Sequence, residues 1–229
     1  MTCGAVIPAA GSGQRLGGRD KALLPLAGRP ALAWVLEALA RSAQIDEIVV
    51  VASEANAAAI ESLCQVSELR IPVRVTLGGA ERALSVRAGV ECLSPSVQLV
   101  LIHDAARPLL TSELVRRAIA MAHRHGAVVA AVPVVDTIKQ VSVDGRVVAT
   151  PDRSTLVAAQ TPQVFRLDWL RETYRRVGAS LATVTDEATL LERAGFPVYI
   201  FPGDPENIKL TTPLDVTIAE FLLARRRRE

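Results

Sequence analysis

Lysine is almost missing from this sequence. Of 26 basic residues only Lys21, Lys139 and Lys209 are lysines, and all the others are arginine. Aromatic residues make up 3% of the chain, too few for the stacked platforms on which single-stranded nucleic acids are bound. A net charge of +2 likewise excludes a broad basic footprint for nucleic acid. The one dense basic cluster, Arg225–Arg228, closes the apolar run that begins at Ile218. It reads as the last turn of a terminal helix, where cations complement the helix dipole. Cys3, Cys64 and Cys92 form no Cys-x-x-Cys pair, and an odd number suits no disulfide framework. The three histidines, His103, His123 and His125, are too sparse for a zinc site. No apolar run reaches the roughly 18 residues of a membrane helix. The first residues carry neither the basic nor the apolar stretch of a signal peptide. These absences predict a reduced, cytoplasmic, soluble protein that binds neither nucleic acid nor membrane.

What is present is an alternation. Ala5–Pro8, Ile48–Val51, Val73–Thr76, Leu99–Ile102 and Val128–Val132 are short apolar runs rich in β-branched residues. Helical patterns lie between them at Ala31–Ala43, Ala55–Glu68, Glu81–Cys92 and Ser112–His125. Strand–helix alternation predicts an α/β fold with a mostly parallel sheet flanked by helices, and near-continuous apolar strands predict burial on both faces. The rhythm breaks at about 136–153, where Asp144-Gly145 between β-branched residues signals a hairpin. An isolated hairpin is marginal in water, so this segment reads as a projecting β-arm that a second copy would cover. A strand near Val157–Phe165, helices near Leu167–Val177 and Asp186–Ala194, a strand at Val198–Phe201 and a helix from Pro213 complete one domain spanning 1–229.

Five segments carry chemistry. Pro8-Ala9-Ala10-Gly11-Ser12-Gly13-Gln14-Arg15, running on to Lys21, follows the first strand. It fails the dinucleotide fingerprint, because Leu16 stands where the third glycine belongs, and it fails the Walker loop, because Arg19 follows Gly18. What remains is a loop of small residues whose bare amides approach phosphates closely, with Arg15 as a forked donor and Lys21 as a point charge. Without those charges it would read equally well as a flexible glycine turn. Gly78-Gly79, ahead of Arg82 and Ser85, opens a helix at the carboxyl end of the third strand, the edge where open α/β sheets bind ligands. His103-Asp104-Ala105-Ala106-Arg107-Pro108 delivers a carboxylate to the same edge, suited to Mg²⁺ beside phosphates or, on spacing alone, to a turn. The fourth group comprises Asp136-Thr137-Ile138-Lys139 and Thr150-Pro151-Asp152-Arg153 at the two ends of the arm, then Gln160-Thr161-Pro162-Gln163. The fifth comprises Thr185-Asp186-Glu187-Ala188, whose threonine also suits a helix N-cap, and Asn207-Ile208-Lys209-Leu210-Thr211 in a strand-like piece.

In this order, these segments resemble the 2-C-methyl-D-erythritol 4-phosphate cytidylyltransferases of the non-mevalonate isoprenoid pathway, over nearly the whole chain. The resemblance implies a Rossmann-like nucleotidyltransferase fold and CMP transfer from CTP onto methylerythritol phosphate, with pyrophosphate released. It implies catalytic roles for Arg15, Lys21, Arg153 and Lys209. Ala9, Ala10, Gly11, Gly13, Gly79, Arg82 and Ser85 would read the nucleotide. Asp104 would help hold Mg²⁺, with Ala105 beside it. Arg107, Thr137 and Thr161 would line the acceptor pocket, and the lysine scarcity places Lys139 at or near it. It also implies a homodimer in which the arm serves the neighbour's site. The chain departs from the family pattern at Asp20, where a proline is usual, and in Ala22-Leu23-Leu24, where an aromatic is usual. A ribitol 5-phosphate cytidylyltransferase, another sugar-phosphate nucleotidyltransferase and a non-catalytic nucleotide-binding regulator are the competing readings. The lysine scarcity gains a meaning here: arginine fills the sites where either cation serves, and lysine remains where a compact point charge is needed beside phosphate.

Overall fold

A computed structural model describes residues 1–11, 16–67, 69–79, 81–177 and 186–227. The chain runs β1 (Cys3–Pro8), β2 (Pro25–Leu26), β3 (Arg29–Pro30), α1 (Ala31–Ser42), β4 (Glu47–Ala52), α2 (Ala57–Val66), β5 (Val73–Leu77), α3 (Arg82–Glu91), β6 (Leu99–Ile102), α4 (Ser112–His125) and β7 (Ala127–Pro133). It continues through β8 (Gln140–Val141), β9 (Val147–Ala149), β10 (Val157–Arg166), α5 (Leu167–Val177), α6 (Glu187–Arg193), β11 (Tyr199–Pro202) and α7 (Pro213–Arg226). Seven strands form the central sheet in the order β11-β7-β10-β6-β1-β4-β5.

β1, β4 and β6 are buried along nearly their whole length because helices cover both faces. One layer packs α1 and α4 against Ile7, Ile48, Leu101 and Val128. The other packs α3, α5 and α6 against Val6, Val49, Ile102 and Phe165. α3 lies close to the sheet at Gly89, where a Cβ would meet Val6 Cγ1 at 2.5 Å and Val51 Cγ2 at 2.7 Å. That close approach sets the depth of the helix whose first residue is Arg82. Gly89→Ala is expected to lower stability by about 1–3 kcal/mol through overpacking, read from the urea midpoint at constant slope. A midpoint equal to wild type would mean that α3 is free to ride outward.

Three features differ from the sequence reading. β10 is antiparallel to both β6 and β7, and it sits between them. Its apolar run carries no mark of direction, so a return strand reads like a parallel one. β5 is an edge strand with only half-buried and exposed residues, because no further strand follows it. Residues 207–211 form no strand; Lys209 lies in an irregular segment fixed by Leu210 N–H donating to Ala106 O at 2.8 Å. The sequence reading also passed over the short β2–β3 pair. The arm itself is present, as the exposed antiparallel pair β8–β9. No described helix is long and apolar enough to cross a membrane.

Candidate active site

The carboxyl ends of β1, β4 and β6 share one edge of the sheet, and the chemistry-bearing residues collect there. Ala9 continues β1 and donates its N–H to Val51 O at 2.7 Å. Ala9 is buried, Ala10 half-buried and Gly11 exposed, so the chain surfaces as the loop begins. Gly13, Arg15 and Thr185 fall outside the described residues. The loop's far side is tied down by Asp20. Its Oδ1 accepts from the N–H groups of Ala22 (2.8 Å) and Leu23 (3.3 Å), and its Oδ2 accepts from Asn56 Nδ2. Asn56 Nδ2 also donates to Ala9 O at 2.9 Å. The aspartate that departs from the family pattern therefore anchors the turn carrying Lys21, by hydrogen bonds in place of a ring. Nothing in the local sequence singles out Asn56, whose two Nδ2 partners lie 36 and 47 positions away. It stands at the cap position of α2 but makes no capping bond.

Beyond β5, Gly79 is exposed, and Ser85 Oγ donates toward Gly79 O and Glu81 O, both at 3.2 Å. A Cβ on Gly79 would meet Leu84 Cβ at 2.6 Å, so the turn into α3 needs a glycine for space.

Asp104 is the centre of the arrangement. Its Oδ1 accepts from Arg82 Nε at 3.1 Å and its Oδ2 from Lys209 Nζ at 2.7 Å. Its backbone N–H donates to Thr161 Oγ1 at 3.1 Å. Burial pushes the carboxyl pKa up, but the Arg82 and Lys209 charges outweigh it and hold Asp104 well below the usual carboxylate range. Arg82 in turn donates from Nη1 to Glu187 Oε2 at 2.9 Å. Burial of Glu187 raises its pKa, and Arg82 offsets this only in part. Ala105 is buried beside Asp104. Arg107 donates from Nη1 to Asn207 O at 2.7 Å, and burial lowers its pKa. Asn207 Nδ2 donates to Thr161 O at 2.7 Å. Gln160 and Gln163 fasten the neighbouring segments: Gln160 Nε2 donates to Asp204 O and Gln163 Nε2 to Asp186 Oδ2, both at 2.9 Å. Asp186, not Thr185, supplies the N-cap of α6, accepting from Thr189 N–H at 3.0 Å. His103 is fully buried and held neutral, its pKa pushed down to about 4 by burial.

Of the expected residues, Ala9, Arg82, Ser85, Asp104, Ala105, Arg107, Thr161 and Lys209 gather at this edge. Thr137, Lys139 and Arg153 do not join them: they are exposed on the arm. Lys139 Nζ donates to Thr150 Oγ1 at 2.8 Å, and Arg153 Nη1 donates to Val135 O at 2.6 Å, so both bonds stay within the arm's root.

The profile of the 2-C-methyl-D-erythritol 4-phosphate cytidylyltransferases matches residues 3–225. The chain belongs to this family. Among similar cytidylyltransferases, that of Synechococcus elongatus is 48% identical over 222 residues, covering 96% of each chain. That of Symbiobacterium thermophilum is 45% identical over 225 residues, covering 98% of this chain and 94% of the relative. The crystal structure of the 4-diphosphocytidyl-2C-methyl-D-erythritol synthase of Anaerococcus prevotii superposes with a TM-score of 0.86 at 32% identity, covering 98% of this chain and 99% of that one. The cytidylyltransferase family thus supplies the Rossmann-like nucleotidyltransferase fold seen here.

Proposed function

We propose that this protein transfers CMP from CTP to 2-C-methyl-D-erythritol 4-phosphate, giving 4-diphosphocytidyl-2-C-methyl-D-erythritol and pyrophosphate. The observation that carries this reading is the Lys209–Asp104–Arg82 chain of contacts at the sheet edge, built from the family's motifs in a family member. An oxygen of the acceptor phosphate attacks the α-phosphorus of CTP. The bond to the bridging oxygen of the β-phosphate breaks, and its electrons leave with pyrophosphate. A phosphate monoester is already anionic at neutral pH, so no side chain has to remove a proton. The protein's share is alignment and charge stabilisation. Arg82 and Lys209 are cations at the edge, and the loop that opens at Ala9 would turn Gly11 and Lys21 toward the triphosphate, a role the family's motif also gives to Gly13 and Arg15. Gly79 and Ser85 face the nucleoside, while Arg107 and Thr161 border the acceptor.

Mg²⁺ fits the donor set. Each Asp104 oxygen accepts one hydrogen bond from a cation, leaving a further lone pair on each hard oxygen. The described residues contain no cluster of three metal-ligating side chains, in keeping with a metal that takes one carboxylate, water and substrate phosphates. Asp104 would hold it, and when bound it would neutralise charge on the phosphates.

The arm supports a homodimer. Val141, Val143, Val147 and Val148 are exposed on it, and a cavity of about 1010 Å³ lies beside its root, lined by Val135, Arg153, Leu156, Ile200 and Pro202. A second copy would cover these valines and would receive Thr137, Lys139 and Arg153 at its own acceptor pocket. Three unpaired cysteines suit the reducing cytoplasm.

With Mg²⁺ present, pyrophosphate release from CTP is expected only when methylerythritol phosphate is added. Faster turnover with ribitol 5-phosphate would overturn the acceptor assignment, and no release with any acceptor would overturn the transferase itself.

A further inference from the structure

Glu187 has no solvent exposure, yet among the described residues only one of its carboxylate oxygens meets a cation. Oε2 accepts from Arg82 Nη1 at 2.9 Å, while Oε1 is buried without a side-chain hydrogen-bond partner among the described residues, as is the hydroxyl of Tyr174. A buried carboxylate kept for stability alone makes little physical sense, because an apolar side chain of similar volume usually serves at least as well. The placement of Glu187 is nonetheless firmly built. Asp186 beside it caps α6 and accepts from Gln163 Nε2 at 2.9 Å, which fixes the start of α6 to β10. Arg82 is therefore gripped from two sides. Glu187 holds Nη1 from the interior, and Asp104 holds Nε at 3.1 Å from the sheet edge. The arginine side chain is 27% exposed, against 0% for Glu187 and 10% for Asp104, so it is the member of the trio that opens to solvent.

We propose that Glu187 is a positioning residue for nucleotide binding, fixing the Arg82 guanidinium at the sheet edge from the side away from the substrate. This rests on the transferase reading above. The two carboxylates have different duties. Asp104 also binds Lys209 and faces the phosphates, so its hold on Arg82 competes with ligand. Glu187 has Arg82 as its cationic partner and lies out of the ligand's reach, so its hold persists when CTP arrives. A planar fork presents its donors usefully only while its plane is fixed. With Glu187 neutralised, Arg82 has Asp104 as its remaining anchor and turns with whatever Asp104 binds.

The test is a double-mutant cycle read in CTP affinity, by calorimetry on the full chain with Mg²⁺, and in the kcat and KM for CTP. Glu187→Gln and Arg82→Lys are each expected to weaken CTP binding by about 10–100-fold, the size of loss seen when a partner that orients a metal ligand is removed. The double variant is expected to bind within about threefold of the weaker single, since both lesions remove one interaction. A purely structural role would give losses that multiply, and that outcome overturns the proposal. So does Glu187→Gln binding CTP as wild type does. Glu187→Asp keeps the charge and withdraws it by one methylene. An intermediate loss that disappears in the Arg82→Lys background supports the proposal, and wild-type affinity contradicts it. CTP affinity is measured without acceptor. A failed acceptor panel therefore removes the assigned substrate and leaves this coupling standing, whereas missing coupling removes the role of Glu187 and leaves the transferase.

Discussion

Asp104→Asn is expected to reduce pyrophosphate release from CTP by about a thousandfold, the upper range for losing one preorganised electrostatic group at a reacting centre. The substitution preserves shape and removes one charge. In the native cluster three cations, Arg82, Arg107 and Lys209, act on Asp104, and Glu187 is the second carboxylate within it. Without the Asp104 charge, Lys209 loses its carboxylate partner and the cations repel one another at a largely buried edge. Breaking a fully buried pair from one side costs about 3–5 kcal/mol; Lys209 is 39% exposed and Arg82 27%, so water screens part of that cost here, and the unliganded variant should melt only modestly earlier. The two effects separate experimentally. Steady-state rates at a temperature well below the melting point report the loss of chemistry, and a thermal scan without nucleotide reports the loss of stability. Activity within tenfold of wild type would remove Asp104 from the reacting phosphates, whatever the stability does.

Deleting Thr137–Arg153 is expected to yield a folded monomer with no measurable transfer. The fold should survive because Val157 pairs with Pro133 and Ala158 with Val132, so β7 and β10 close the excursion at its base. A shorter connection between them saves closure entropy. Activity should vanish because Thr137, Lys139 and Arg153 leave together, all three exposed on the arm, with Lys139 bonded to Thr150 and Arg153 to Val135 at its root. Sedimentation measures the mass, and a mixing experiment measures the sharing. Arm-deleted chains combined with Asp104→Asn chains should regain partial activity if arms cross between copies. A fully active monomer would end the shared-site idea.

The sheet was legible where period and burial agreed. β1, β4 and β6 lie within a residue or two of their apolar runs, and α4 occupies Ser112–His125 as read. Its boundaries are chemically marked: Thr111 Oγ1 accepts from Leu114 N–H at 3.2 Å, and Gly126 ends the helix with a φ of 82°. Strand direction was not legible, since a buried apolar run is the same forwards and backwards, and so β10 was placed without its sense. The site divides in a similar way. Asp104 and Lys209 were found through their motifs, but their direct contact spans 105 positions of sequence, and nothing local announces it. Glu187 was read as part of a motif with no task, because its burial exists only once α6 packs. The lysine scarcity singled out Lys209, whose ammonium meets Asp104 at 2.7 Å. For Lys139 it pointed to the arm, where the ammonium meets Thr150 in its own chain.

The antiparallel β10 has a consequence for the nascent chain. β6 and β7 are made before it and flank it in the finished sheet. At a synthesis rate of about 5–20 residues per second, they wait a few seconds while the arm emerges. Throughout that interval two apolar strands present unpaired edges to the cell, the kind of template that recruits foreign strands. The projecting arm thus sets how long the facing edges of β6 and β7 stay open on the growing chain, and lengthening it would prolong that exposure while the finished sheet kept the same strand pairs.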